Sequence, residues 1–332
     1  MRPVHTALAV LVTAVWGFNF VVIQIGLGDV PPLLLSALRF LAAALPAVFF
    51  VGRPKVAWKW VIAVGLALGV AKFGLLFLGM DAGMPAGLSS LVLQVQAVFT
   101  AVLAAVVLRE RPGRLRIAGM AVAVAGIGVA AVGEGTAGPP AGFAMVVAAA
   151  ACWGVSNVLT RRAAPPDALN FMVWVCTVPV LPLLALSLLL EGPERDLAAL
   201  RSLDWGAAGV LGYLAWVSTV FGFGAWGYLL RRYPASSVAP FSLLVPVFGM
   251  SSAALVFGEE VSGLRWLAAV LLVGGVALTS LVPARPGTAP APTGAPAPVG
   301  APGPVSVPGA AAASPARSGT PRTTGAVSPR RG

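Results

Sequence analysis

Ten stretches of about 20 apolar residues follow one another along the chain, at 6–26, 33–52, 58–79, 88–108, 115–133, 142–160, 169–190, 205–229, 236–257 and 264–283. A hydrocarbon layer about 30 Å thick is crossed by about 20 helical residues, so each stretch is long enough to cross once. Hydrocarbon offers no water to backbone N–H and C=O groups, which leaves helices and closed barrels as the spanning structures. Barrel strands alternate with period two, and none of the ten stretches does. The first stretch lacks a small-residue cleavage site with a polar flank, so it reads as a span and not as a signal peptide. The expected fold is an all-α membrane protein with ten transmembrane helices.

Composition agrees. The chain is 58% hydrophobic and 10% charged, with a mean hydropathy of +0.91. Soluble domains run near 45–50% apolar and about 25% charged, so too few charges are present to coat a water-facing surface. The net charge of +11 does not indicate nucleic-acid binding, because the basic residues cluster between apolar stretches and do not form one polar face. Cys152 and Cys176 both fall inside apolar stretches and read as two buried thiols. With His5 as the one histidine, no His-rich metal site is available and no cofactor is expected. Residues 284–332 are mostly Pro, Ala, Gly, Ser and Thr, with no carboxylate or aromatic residue. Such a segment buries too little apolar surface to offset its ordering, and a disordered tail is expected.

The basic residues also orient the chain. Alternate loops place Arg2, Arg53, Lys55, Lys59, Arg109, Arg111, Arg114, Arg116, Arg161, Arg162, Arg231, Arg232 and the five tail arginines on one side, which is 17 of the 22. Arg195, Arg201 and Arg265 fall on the other, and Arg39 and Lys72 lie within spans. The positive-inside rule then predicts a multi-pass plasma (cell inner) membrane protein with both termini cytoplasmic. Two termini on one side require an even number of crossings, in line with ten.

The sequence also resembles itself. At a shift of 149, Pro85-Ala86 matches Pro234-Ala235, Phe99 matches Phe248, Glu110 matches Glu259, Leu115-Arg116 matches Leu264-Arg265, and Gly126 matches Gly275. Trp16-Gly17 matches Trp153-Gly154 at a shift of 137. The expected organisation is a first repeat over 1–133 with spans 1–5, a second over 142–283 with spans 6–10, and the tail at 284–332. Five is odd, so the second half is predicted to enter the membrane inverted. Two like halves of opposite orientation suit alternating access, with a substrate site near mid-bilayer between them.

Several residues carry a resemblance to a known family. The first span and its exit read Ala14-Val15-Trp16-Gly17-Phe18-Asn19-Phe20-Val21-Val22, then Gly26-Leu27, Pro31-Pro32 and Leu38-Arg39-Phe40. Later come Gly83-Met84-Pro85-Ala86-Gly87-Leu88, Leu91-Val92-Leu93-Gln94 and Gln96, then Trp153-Gly154 and Asn157, and finally Ala239-Pro240 and Leu243-Leu244-Val245-Pro246-Val247. Over residues 4–283 the chain resembles the EamA family of the drug/metabolite transporter superfamily. Stretches 16–40 and 83–96 look closest to the O-acetylserine/cysteine exporters. The resemblance implies ten helices in two EamA-type repeats and efflux of O-acetylserine, cysteine or related small amino-acid metabolites across the plasma membrane.

Candidate binding residues follow from the cost of polarity in hydrocarbon, about 2.5–3.5 kcal/mol for a charged side chain on insertion scales. Arg39 is a candidate carboxylate holder, against the alternative of snorkelling to the headgroups. Lys72 can bind a carboxylate or exchange protons, against a structural ion pair; Asp81, nine residues on, is about 13 Å away along a helix. Gln94 and Gln96 bring amides suited to an amino acid; about 200° apart on an α-helix, they are not expected to face one cavity together. Asn19 and Asn157 stand beside the repeated Trp-Gly pairs, where backbone irregularity and substrate binding often coincide. Trp153, Trp226 and Tyr228 are candidate lining aromatics, whereas Trp58, Trp60, Trp205 and Trp266 read as interfacial anchors. Gly65 and Gly69 allow close helix approach, and Pro179, Pro182, Pro240 and Pro246 are kink candidates.

The expected partners are a small-molecule substrate and the lipid bilayer, with no nucleic acid; proton coupling and oligomeric state stay open. The alternative is a carrier of the same type for a drug, sugar or other metabolite. A membrane-embedded transferase is disfavoured, because it calls for an acidic metal site or a His/Asp/Ser constellation that the chain does not assemble.

Overall fold

The computed structural model describes residues 1–107, 109, 113–134, 140–233, 235–259 and 262–281. The chain divides into two units, Met1–Gly287 and Thr288–Gly332. The second unit, with the tail expected to be disordered, lies outside the described residues, as do Glu110 and Pro234 of the matched pairs.

Among the described residues all regular structure is helical. In chain order the helices are α1 (Pro3–Leu27), α2 (Pro32–Val51), α3 (Trp58–Asp81), α4 (Ala86–Val107), α5 (Arg114–Glu134), α6 (Pro140–Ala163), α7 (Ala168–Leu190), α8 (Pro193–Arg201), α9 (Trp205–Arg232), α10 (Pro240–Phe257) and α11 (Gly263–Leu281). Eight of them, α1–α4, α6, α7, α9 and α10, are long and apolar enough to cross a membrane by length and composition. Shorter apolar helices, Ile117–Val132 within α5 and Gly263–Leu278 within α11, stand where the fifth and tenth crossings are expected. The whole helices hold 21 and 19 residues, a rise of about 28–32 Å at 1.5 Å per residue, close to the roughly 30 Å of a hydrocarbon layer.

The helix ends follow local chemistry. Proline occupies the first turn of α1, α2 and α8, where its missing N–H costs nothing. Asp167 caps α7 through the Asn170 N–H at 3.1 Å, and Asp204 caps α9 through the Ala207 N–H at 2.8 Å. Gly258 closes α10 with φ of 66°, a left-handed conformation that glycine adopts without a Cβ clash. Pro179 breaks α7 between Ala168–Thr177 and Val180–Leu190. Gly65 and Gly69 of α3 meet α7 at this break: a Cβ on either would lie 2.5 Å from Val178 Cβ or Pro179 Cγ.

Four helices are locally irregular, in two matched pairs. A nine-residue π-helical segment interrupts α3 at Gly65–Phe73 and α9 at Tyr213–Phe221. A 3-10 segment interrupts α4 at Leu93–Val95, and another, Ala239–Leu244, leads into α10 and forms its first turns. Wide and narrow turns both leave carbonyls without an ordinary i+4 partner, and they recur at functional sites.

The close crossings come in matched pairs as well. Gly17 of α1 packs on Phe248 of α10, where a Cβ would lie 2.5 Å from Phe248 Cβ and 2.8 Å from Gly249 N. Gly154 of α6 packs on Phe99 of α4, with the corresponding Cβ distance 2.8 Å. Gly126 of α5 abuts Ala268 and Leu272 of α11, while Gly275 of α11 abuts Gly119 and Ala123 of α5. Each residue of these contacts is matched, at the 137 or 149 offset, by a residue of its mate contact.

Polar contacts tie both ends of the bundle. At the end where α1 begins, Lys55 Nζ lies 3.1 Å from Asp167 Oδ2, and Asn170 Nδ2 donates to the Val51 carbonyl at 2.6 Å. Asp167 is held below the usual carboxylate range, first by the Asn170 N–H and then by Lys55. At the opposite end Glu191 caps α2, accepting from Leu33 N at 2.8 Å and Leu34 N at 3.2 Å, and Glu259 accepts from Gly87 N at 3.3 Å at the start of α4.

Candidate substrate cavity

The irregular segments surround a cavity of about 370 Å³ in the middle of the bundle, within the range of about 300–1,000 Å³ for small-molecule sites. Of the nine residues singled out in the sequence, eight line it: Asn19, Arg39, Lys72, Gln94, Gln96, Trp153, Asn157 and Trp226. Tyr228 is not brought to it. Its side chain is 37% exposed, and its hydroxyl lies 3.3 Å from His5 Nε2, where α1 begins.

The two cations flank one ring. Lys72 Nζ lies 3.2 Å from the Phe73 ring centroid and 4.9 Å from that of Trp153, and Arg39 Cζ lies 4.3 Å from the same Phe73 centroid. Both side chains are buried, Arg39 to 2% and Lys72 to 5% exposure. Arg39 donates from one Nη to Thr219 Oγ1 at 3.0 Å, and that hydroxyl in turn donates to the Leu214 carbonyl at 2.8 Å inside the π segment of α9. The Nε and the other Nη of Arg39 are buried without a hydrogen-bond partner among the described residues. Snorkelling is therefore excluded for Arg39, which is enclosed among helices, and among the described residues neither basic group has a carboxylate within ion-pair distance.

The amides form the other part of the lining. Asn157 Nδ2 donates to Gln96 Oε1 at 2.8 Å and to Thr100 Oγ1 at 3.1 Å, linking α6 to α4. Gln94 Nε2 donates to the Ser242 carbonyl at 3.1 Å, in the 3-10 segment of α10. Asn19 Oδ1 is buried without a hydrogen-bond partner among the described residues. Gln94 and Gln96 both line the cavity, against the expectation from α-helical geometry. The 3-10 segment Leu93–Val95 is the reason: at about three residues per turn each step rotates about 120°, which brings the two amides closer around the axis.

Several lining residues were not singled out as candidates. Trp16 lines the cavity, donates from Nε1 to the Ser218 carbonyl at 3.0 Å, and stacks obliquely on Trp226 with centroids 5.2 Å apart. Its signal was the Trp-Gly pair shared with Trp153. Phe73, Ser90, Ser156, Thr160, Ser218 and Ser242 also line it, and single serines in apolar helices carry no comparable sequence signal. A wider groove of about 710 Å³ along α1, lined by Val10, Leu11, Ala14 and Phe248 among others, holds no charged or amide side chain, and Thr6 is its one hydroxyl side chain. Among the described residues no group of three or more His, Cys, Asp or Glu is placed to hold a metal ion.

Comparison with known proteins gives the same picture at family level. The model of the EamA-like transporter family matches residues 6–132 and 140–281. A Salmonella typhimurium protein named "Probable amino-acid metabolite efflux pump" is 45% identical over 275 residues, which cover 81% of this chain and 92% of that protein. An Escherichia coli K12 protein of the same name is 42% identical over the same length and the same shares. A Streptantibioticus cattleyicolor protein named "Probable terminal-alkyne amino-acid exporter" is 30% identical over 278 residues, covering 81% and 91%. A solved crystal structure, 21% identical, superposes with a TM-score of 0.58 over 85% of this chain and 98% of that one, a likeness of fold.

Proposed function

The chain belongs to the EamA-like transporter family, and from that premise we propose that it exports small amino-acid metabolites, with O-acetylserine and cysteine as cargo, across the plasma membrane. The observation that carries the reading is the pairing of unsatisfied groups around one cavity. Arg39 brings two buried donors without a partner, and Asn19 brings a buried acceptor without one. An amino acid supplies both complements at once, a carboxylate for the guanidinium and an N–H for the amide oxygen. In this reading Arg39 and Lys72 hold the carboxylate. Asn19 and the Gln96–Asn157 pair take the amine, Gln94 fixes α4 against α10, and Trp16, Trp153 and Trp226 pack the cargo side chain. The two relatives named as amino-acid metabolite efflux pumps favour the same cargo class.

The carrier works by alternating access between two inverted five-helix halves, 1–133 and 142–283. Matched π segments, matched 3-10 segments and exchanged glycine crossings support the repeat. In this arrangement α5 and α11 make the fifth and tenth crossings, and the basic loops put both termini in the cytoplasm.

The test is uptake of labelled O-acetylserine and cysteine into inverted membrane vesicles, with and without the protein and with and without an imposed proton gradient. Saturable uptake that requires the protein is the expected result. Absence of uptake of either solute, with transport of an unrelated drug or sugar instead, overturns the cargo assignment. Dependence on the gradient decides proton coupling.

A further inference from the structure

Within the amino-acid metabolites, we propose that the cavity prefers solutes of net negative charge: a carboxylate whose α-nitrogen is uncharged, as in an N-acyl amino acid. The inference rests on the exporter reading and adds a charge rule to it.

The rule comes from a count of charges at the site. Arg39 and Lys72 are the two basic side chains of the lining, and no acidic side chain stands beside them among the described residues. None of the carboxylates among the described residues lines the cavity, and five at the ends of the bundle are engaged elsewhere. Glu191 caps α2, Glu259 caps α4, Asp167 faces Lys55, Asp204 caps α9, and Asp196 receives the Ser187 hydroxyl at 2.8 Å. Phe73 covers both cations, and a ring quadrupole compensates a buried charge only partly.

A zwitterion entering this space brings no net charge and sets its own ammonium beside two basic side chains. An N-acyl amino acid brings one net negative charge and turns the ammonium into a neutral amide. Its carboxylate meets the free donors of Arg39. Its amide N–H meets Asn19 Oδ1, and its acyl carbonyl accepts from the Lys72 ammonium. The acyl methyl rests on the tryptophan faces.

O-acetylserine and N-acetylserine separate the alternatives, because they are isomers with the same atoms and differ in the charge on nitrogen. Uptake of each is measured with the full-length protein in inverted vesicles, at mildly acidic pH where the O-to-N acyl shift is slow. N-acetylserine is expected to enter at least about tenfold faster at subsaturating concentration, the scale of one added charge-assisted hydrogen bond. Its methyl ester, which lacks the carboxylate, is expected to enter no faster than in vesicles without the protein. Lys72→Gln should bring the two isomers to within about twofold, and Lys72→Arg should keep the preference. Equal or faster entry of O-acetylserine overturns the charge rule and leaves the exporter reading standing. Failure of both isomers and of cysteine to enter overturns the two together.

Discussion

Arg39→Met separates a residue kept for cargo from one kept for the fold. Arg39 is 2% exposed, makes one hydrogen bond to Thr219, and leaves two donors without partners. The bond to Thr219 is worth about 1.5–3 kcal/mol at most, and the contact with Phe73 about 0.5–2 kcal/mol. Against these stands the cost of burying a guanidinium without an anion, several kcal/mol after relaxation. Methionine fills much of the same space with no charge, and Thr219 keeps its own bond to the Leu214 carbonyl. The net expectation is a protein no less stable, and stabilised by as much as about 1–4 kcal/mol, the range seen when buried ions give way to apolar residues. Transport should move the opposite way, falling about 10- to 100-fold at subsaturating cargo as the carboxylate contact disappears. Thermal unfolding in detergent and vesicle uptake, measured on the same preparations, check both arms. A melting temperature several degrees lower with uptake retained would show that the guanidinium serves packing, and would refute the reasoning.

Two further predictions concern the fold. Gly17→Ala drives a Cβ into Phe248 Cβ and the Gly249 and Val245 backbone, and Gly154→Ala meets Phe99 Cβ at the longer distance of 2.8 Å; each should cost about 1–3 kcal/mol by overpacking, with Gly17→Ala the worse of the two in thermal unfolding. Asp167→Ala removes an N-cap and should cost about 1 kcal/mol. Because the Asp167 carboxyl is held below its ordinary value, its contribution is present above about pH 4, the unfolded value, and is lost as pH falls through the lower folded value. A pH series of wild-type and variant melting curves should converge at the acid end.

Much of the candidate cavity's lining is legible because polarity in hydrocarbon is rare. Arg39, Lys72, Asn19 and Asn157 stand out in apolar stretches, and the structure gathers them around one cavity. Tyr228 lies away from the cavity for a geometric reason present in the sequence. It follows Trp226 by two residues, so in a helix the two rings diverge by about 200°, and Trp226 takes the cavity side. Gln94 and Gln96 escaped the same rule through their 3-10 segment, and nothing in the run Leu-Val-Leu-Gln-Val-Gln announces that change of pitch. The eight long crossings were readable from length and apolarity alone. The helices at the fifth and tenth places, Arg114–Glu134 and Gly263–Leu281, stand where the stretches 115–133 and 264–283 put them.

The paired π and 3-10 segments alter what an inventory of side chains reports. The Ser218 and Ser242 carbonyls, turned out of the regular ladder, accept from Trp16 and Gln94. Their oxygens belong to peptide units, which a hydropathy scale assigns to every residue alike. A chain with a mean hydropathy of +0.91 can therefore furnish a solute route with acceptors that no substitution of a side chain removes. Scanning mutagenesis of such a protein undercounts the polar groups around the cavity, and amide-to-ester replacement at these positions is the chemistry that exposes them.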